Sequence, residues 1–231
     1  MNKYYKVVDS LDEEITINTI DTNYSSTLNR YDEYWSLLET MVVTSRVSGL
    51  GFDFFYTLHN NIASWGTDYF ESLPAATNGV YSLATITGNE KDSDKFIFKQ
   101  DLFDIGESLA HTKAPVLHEG YYLWEHLYDD VRLEKYEGLP NRLESFFLFD
   151  NVADCEYYIT NHKGGGTICE VELVDTEAIF KGDMTLLDGI PNDANYDDAS
   201  IIIDRYWSGK TSKSPVIEYV FQGTCKLKPL G

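Results

Sequence analysis

Metal-ligand spacings, long apolar runs and basic charge are all scarce in this chain of 231 residues. Its three cysteines, Cys155, Cys169 and Cys225, stand far apart, each inside an apolar run. No CxxC pair or Cys/His cluster occurs, and His59, His111, His118, His126 and His162 form neither HxH nor HxxxH. That excludes a structural zinc site of ordinary spacing, and no metal is expected. The cysteines read as small core residues of a reducing compartment. No segment approaches the ~18 consecutive apolar residues that span a bilayer, and the opening Met-Asn-Lys-Tyr-Tyr-Lys carries no apolar leader. The expectation is a cytoplasmic protein with no membrane partner. Lys and Arg total 18 against 38 Asp and Glu, a net charge of -20. Such a surface repels nucleic acid unless basic groups cluster locally, and it suits a basic partner surface.

Aromatic residues, by contrast, are plentiful: 17 Tyr, 12 Phe and 4 Trp within a 43% hydrophobic chain. That is ample material for a core, and tyrosine in particular suits half-buried clefts. The length fits one domain over residues 1–231 with an insertion, read here at about 52–115. No internal repeat or low-complexity stretch is present.

The pattern predicts a mixed α+β order. Residues 3–9 form a short strand and 12–30 a polar loop. Tyr31, Tyr34, Trp35, Leu38, Met41 and Val42 recur at helical spacing up to about Val47, where Gly49 and Gly51 stop the helix. The run Phe52-Asp-Phe-Phe-Tyr-Thr-Leu fits a strand or a buried helical turn, because periodicity does not separate the two. Val80–Thr87 and Lys95–Lys99 read as the strands of a hairpin. A helix spans about 119–136 and ends at Gly138-Leu-Pro140. Then come a strand at 144–150, a short helix capped by Asp150 or Asn151, strands near 168–174 and 178–184, and a loop at 188–198. Ala199–Trp207 is helix or strand, and Val216–Leu227 is the closing strand.

Most candidate chemistry is weak when taken motif by motif. Gly164-Gly165-Gly166 follows a helix and precedes a strand, the reverse of a phosphate-cradling loop, so it reads as a tight turn. The acidic pairs Asp129-Asp130 and Asp197-Asp198 read as solvated charge. Glu218 is the outlier, a carboxylate among Val216, Ile217, Tyr219, Val220 and Phe221. Charge in so apolar a strand has a partner, a task, or a place on a solvent-facing edge.

Taken in order, three segments are similar to the ADP-ribosyltransferase superfamily, in particular its small prokaryotic and phage members. Arg132-x-x-Lys135-Tyr136, Leu139-Pro140-x-Arg142-x-x-Ser145-Phe146-Phe147, Tyr206-Trp207-x-Gly209 and Pro215-x-x-Glu218-Tyr219 carry the resemblance, with the Tyr4-Tyr-Lys-Val-Val strand before them. It covers the first ten residues weakly, 120–228 well, and 50–115 not at all. What it implies is a split β-sheet cleft flanked by helices, binding NAD as substrate. The family's three signature positions would fall on Lys6 or its neighbour Tyr5, on Ser145, and on Glu218. The first is commonly Arg or His, and Lys6 is neither.

The resemblance gives Glu218 the catalytic role: hydrogen-bonding the ribose 2′-OH and stabilising the cation that forms as nicotinamide leaves. Arg142 and Lys6 would meet the diphosphate or adjacent ribose, Ser145 would hold the strand edge, and Phe146 or Tyr136 would wall the nicotinamide. It further implies a toxin or phage–host conflict factor, a macromolecular acceptor and a neutralising antitoxin-type protein. Lys210, Lys213, Lys226 and Lys228 beside Tyr206 and Trp207 point to an RNA or DNA base as acceptor, with a protein side chain as alternative. A non-catalytic acidic binding protein, and a hydrolase or phosphotransferase on the same cleft, are the rival readings.

Overall fold

The computed structural model describes residues 3–23, 31–118 and 120–230. The chain is mixed α+β and divides into two compact units. One comprises Met1–Asn29, Tyr128–Gly189 and Ile201–Gly231; the other comprises Arg30–Leu127 and Ile190–Ser200. The segment 52–115 lies wholly in the second unit, which begins well before it.

The first unit is built on five antiparallel strands: β1 (Tyr4–Val8), β2 (Ile15–Asn18), β5 (Phe146–Phe149), β6 (Thr167–Asp183) and β7 (Ile217–Pro229). Strand β1 pairs with β5 and β6, and β7 pairs with β5, β6 and β2. The circuit β1–β5–β7–β6 therefore closes on itself, with β2 added alongside β7. Closure depends on β6, which runs for 17 residues where the sequence suggests two strands. Register irregularities at Leu173/Asp175 and Thr176/Ala178 bend it, so that its first part reaches β1 while Cys169–Asp183 follows β7. Opposite the bend, Gly223 has φ +139°, and a Cβ there would lie 2.3 Å from the Asp175 carbonyl oxygen, so only glycine fits.

Side-chain alternation gives this sheet two buried faces. Phe146, Leu148, Cys169, Val171, Phe221, Cys225, Leu227 and Ile17 form one core. Val7, Phe149 and Val216 form another with Cys155 from α7 (Val152–Tyr158) and Met184 from α8 (Met184–Asp188). All three cysteines are free and buried. Asn151, not Asp150, caps α7, its Oδ1 accepting from the Asp154 amide at 2.8 Å. Strand β2 lies where the sequence reads as loop, because its Thr and Asn content masks a pairing supplied by β7. The rest of that expected loop, 24–30, is outside the described residues.

The second unit is helical apart from one hairpin. Helix α1 (Tyr31–Ser48) buries Tyr34, Leu37, Leu38, Met41, Val42 and Ser45, a stripe at 3.6-residue spacing. The ambiguous run at Phe52 is α2 (Phe52–Trp65), burying Phe52, Phe55, Leu58, His59 and Ile62 on one face. Phe54 is buried too, which fills the pattern in and hides its period. Next come α3 (Asp68–Ser72), β3 (Val80–Ser82), α4 (Ala84–Thr87), β4 (Phe96–Phe98) and α5 (Lys99–His111). Strands β3 and β4 pair as the expected hairpin, each shorter than the sequence suggests. Helices α6 (Tyr121–Lys135) and α9 (Tyr196–Trp207) each contribute residues to both units. No helix among the described residues is long and apolar enough to cross a membrane.

Candidate active site

Cross-strand register decides which candidate residues share a face. Tyr5 stands opposite Phe149, Phe149 opposite Glu218, and Glu218 opposite Gly182, a single row across β1, β5, β7 and β6. Tyr5 and Glu218 therefore project from the same side, with Phe149 between them. A one-residue step reverses the side, so Lys6 and Phe146 point into the other core. The Lys6 Nζ stands 4.4 Å from the centroid of the Phe146 ring. Burial, reinforced by the nearby Lys163 charge, lowers the Lys6 pKa to about 8. Phe146 is not brought to Glu218, and Lys6 starts from the opposite face, though it is near enough for the Glu218 charge to oppose the lowering of its pKa; Tyr5 and Phe147 are on the Glu218 side.

The Arg142 side chain is delivered by a 3₁₀ turn, Arg142–Glu144, capped by Asn141, whose Oδ1 accepts from the Leu143 amide at 2.9 Å. Ser145 closes the same turn: its buried hydroxyl donates to the Asn141 carbonyl at 2.5 Å. The other motif residues hold this turn and α9 in place. Arg132 donates to Asp129 at 2.7 Å and to the Leu139 carbonyl at 3.1 Å. Lys135 and the Tyr136 hydroxyl both engage Asp204 of α9, at 3.2 and 3.1 Å. Tyr136 thus serves as a fastening between α6 and α9. Trp207 donates from Nε1 to the Tyr128 carbonyl at 2.9 Å, and its ring packs on Phe180 and Tyr206.

These fastenings converge on a buried triangle. Arg142 Nη1 donates to Glu218 Oε1 at 2.5 Å and to the Tyr206 hydroxyl at 2.7 Å, and that hydroxyl donates to the same Oε1 at 2.7 Å. Glu218 is 4% exposed, Arg142 8% and Tyr206 0%. The guanidinium also lies 4.6 Å from the Phe147 ring centroid and 5.4 Å from that of Tyr128. Excluded from water, the ion pair is stable only because each charge has hydrogen-bonding partners. Both donors use Oε1; no described residue donates to Oε2. Glu218 is therefore a fixed, oriented carboxylate with one oxygen uncommitted. The Tyr206-Trp207-x-Gly209 segment is the one sequence signal for Tyr206, and it does not mark that residue as part of a site.

Gly182 makes room for this arrangement. A Cβ at Gly182 would meet Tyr206 Cε2 at 2.3 Å, Tyr206 Cζ at 2.7 Å and Phe180 Cε1 at 2.9 Å. Gly182→Ala is expected to destabilise the fold by about 1–3 kcal/mol, since two packed rings must shift. A lower urea midpoint at unchanged slope would register it; an unchanged midpoint would show that the rings yield freely.

Next along β6, Asp183 is 1% exposed and ties the end of the strand to the approach to β7. It accepts from the amides of Ser212 (2.6 Å), Thr185 (3.1 Å) and Val216 (3.1 Å) and from the Thr185 hydroxyl (2.7 Å). Burial pushes its pKa up, but these donors outweigh it, and the carboxyl is held below its ordinary value.

A groove of about 580 Å³ opens at the far end of the strands, lined by Lys3, Tyr4, Glu170, Val171, Leu173 and Lys228 among others. It contains none of the triangle residues, and its charges are partly spent on Lys3–Glu170 and Lys228–Glu172 pairs. Among the described residues no group of three or more His, Cys, Asp or Glu could hold a metal ion.

A family model described as "Protein of unknown function (DUF2441)" matches residues 54–228. The chain belongs to the DUF2441 family. The matched segment contains Arg142, Gly182, Asp183, Tyr206 and Glu218, so the whole triangle falls inside it. Tyr5 and Lys6 lie outside it. Among curated proteins nothing matches the chain.

Proposed function

We propose that this DUF2441 chain is an NAD-dependent ADP-ribosyltransferase acting on a macromolecular acceptor, with the antiparallel sheet of its first unit serving as the NAD-binding scaffold. The observation that carries this reading is the Glu218 carboxylate, oriented through Oε1 alone while Oε2 takes no hydrogen bond from a described residue. Cleavage of the C1′–N bond sends its electron pair to the nicotinamide ring and leaves positive charge on the ribose. Oε2 is the atom that accepts from the 2′-OH and stabilises that charge in a site from which water is excluded. Arg142 and Tyr206 act as positioning residues, and Phe147 and Tyr5 supply aromatic surface on the same side of the sheet. Because the guanidinium is committed to Glu218, its role lies there instead of at the diphosphate.

The acceptor reading divides on the lysines. Lys226 pairs with Glu14 at 3.2 Å, and Lys228 pairs with Glu172 and Glu14. Half of the basic cluster that would favour an RNA or DNA base is thereby neutralised. A protein acceptor with a basic surface is the second reading, in keeping with the net charge of -20.

Incubation with adenylate-labelled NAD and cell extract tests the proposal. Label is expected in acid-insoluble material with the wild type and at least about 10²-fold less with Glu218→Gln, the scale of losing one key transition-state contact. Retained transfer in that variant, with circular dichroism showing it folded, removes Glu218 from the mechanism. An absence of NAD binding supports the acidic binding protein, and release of free ADP-ribose alone supports a hydrolase. Nuclease or protease treatment of the labelled product assigns the acceptor.

A further inference from the structure

Beyond the triangle, the side of the sheet that carries Glu218 supports a second polar cluster. Helix α7 passes into a single π-turn, Ile159–Lys163, closed by the Gly164 amide on the Ile159 carbonyl at 2.8 Å. π-Turns of this kind are uncommon and occur often at functional sites. This one lays the His162 ring on the Tyr158 ring, with centroids 5.5 Å apart and planes at 16°. His162 Nε2 is thereby brought 3.2 Å from Asp188 Oδ2, at the end of α8. The Tyr157 hydroxyl donates to the same oxygen at 3.4 Å. The side chains of His162 and Asp188 are 30% and 32% exposed, so the pair is backed by protein and reachable from solvent.

The cluster joins the Glu218 row through rings. Tyr158 lies 5.6 Å from Phe149, the residue directly opposite Glu218 on β5. Tyr5, Tyr157 and Tyr158 all pack against the core that contains Phe149 and Met184. Asp188 is close enough to Glu218 that the Glu218 charge helps raise its pKa, after the larger effect of its own burial and against the lowering by His162. With Nε2 turned to Asp188, the outward nitrogen is Nδ1, which contacts no described polar atom.

We propose that His162 is the general base of the transfer reaction, positioned by Asp188, and that the acceptor is therefore a nucleophile carrying a proton: a hydroxyl or an amine. This inference rests on the transferase reading of Glu218. As the acceptor oxygen or nitrogen forms its bond to C1′ and nicotinamide leaves with the electron pair of the broken C1′–N bond, the acceptor proton passes to His162 Nδ1. Asp188 holds the ring so that Nδ1 keeps its lone pair available, the arrangement by which a carboxylate orients an imidazole base. A carboxylate acceptor would have no proton to give and no need of the pair.

Azide provides the decisive test, because it attacks C1′ as an anion and needs no base. Wild type, His162→Gln, Asp188→Asn and Glu218→Gln are compared for nicotinamide release, transfer of label to extract and formation of ADP-ribosyl azide. His162→Gln is expected to lose transfer to extract by at least about 10²-fold, the usual scale of general-base catalysis, and azide is expected to restore turnover. Asp188→Asn should show a smaller loss of the same kind, in kcat more than in KM. Glu218→Gln should lose both reactions. Transfer by His162→Gln within threefold of wild type overturns the proposal, and so does loss of extract transfer without azide rescue, which marks the pair as structural. If the wild type neither releases nicotinamide nor forms the azide adduct, the transferase reading itself fails, and this inference with it.

Discussion

Replacing Arg142 with methionine is expected to destabilise the protein by about 3–5 kcal/mol, because it strands an almost wholly buried charge. Glu218 would retain one donor, the Tyr206 hydroxyl, in a site where it is 4% exposed. The 2.5 Å contact from Nη1 would be gone, as would the guanidinium packed against Phe147 and Tyr128. The signature is a non-additive cycle. Glu218→Gln removes the charge while leaving an amide oxygen for Tyr206, so Arg142→Met/Glu218→Gln should recover about half of the single-variant loss. Urea unfolding of the four proteins measures it. Additive costs within about 0.5 kcal/mol would mean that Arg142 and Glu218 are not coupled, and the triangle would lose its standing as a unit.

Asp183→Ala is expected to cost about 3 kcal/mol or more. The carboxylate accepts three backbone amides and one hydroxyl, and the substitution leaves buried donors such as Val216 N, which bonds Asp183 Oδ1 at 3.1 Å, without a partner. Val216 and Ser212 lie on the approach to β7, so the loss reaches the strand that carries Glu218. The pH dependence follows from the direction of the shift. A carboxyl whose pKa is lower folded than unfolded stabilises the fold above its unfolded pKa, and that contribution disappears as pH falls through the folded value. Wild-type stability should therefore fall below about pH 4, and Asp183→Asn should show a shallower acid limb at a lower overall stability. Thermal unfolding between pH 2 and 7 reads both; parallel limbs for the two proteins would exclude Asp183 as a source of the acid sensitivity.

Local signals were legible where one element satisfied itself. The stripe Tyr34, Leu38, Met41, Val42 marks α1 because a helix closes its own hydrogen bonds and needs a partner for one face only. The stop at Gly138-Leu-Pro140 and the cap before α7 are local for the same reason. The bent course of β6 was not legible: its bulges exist only against β7, and Gly223 has its meaning only opposite Asp175. Strand β2 is likewise a strand because β7 offers it an edge. Helix α8 was hidden as well, since its cap, Asp183, is engaged by Ser212 and Val216 far along the chain as well as by Thr185 beside it.

The candidate site divides in the same way. The sequence alone marked Glu218 as a carboxylate out of place among apolar neighbours, and put Arg142 and Tyr206 in short segments of unusual character. It also holds no CxxC, HxH or HxxxH spacing. Only the tertiary structure joined the three side chains, because they come from a 3₁₀ turn, a helix end and a strand whose approach is set by contacts distant in sequence. Only the structure shows that Tyr5 and Phe147, by register, share the face of Glu218, while the neighbours Lys6 and Phe146 start from the other. Alternation says that neighbours on a strand face opposite ways; which way is decided by register, and register belongs to pairs of strands. The His162–Asp188 pair depends on the fold entirely, for neither residue has a local motif, and a π-turn and a one-turn helix bring them together.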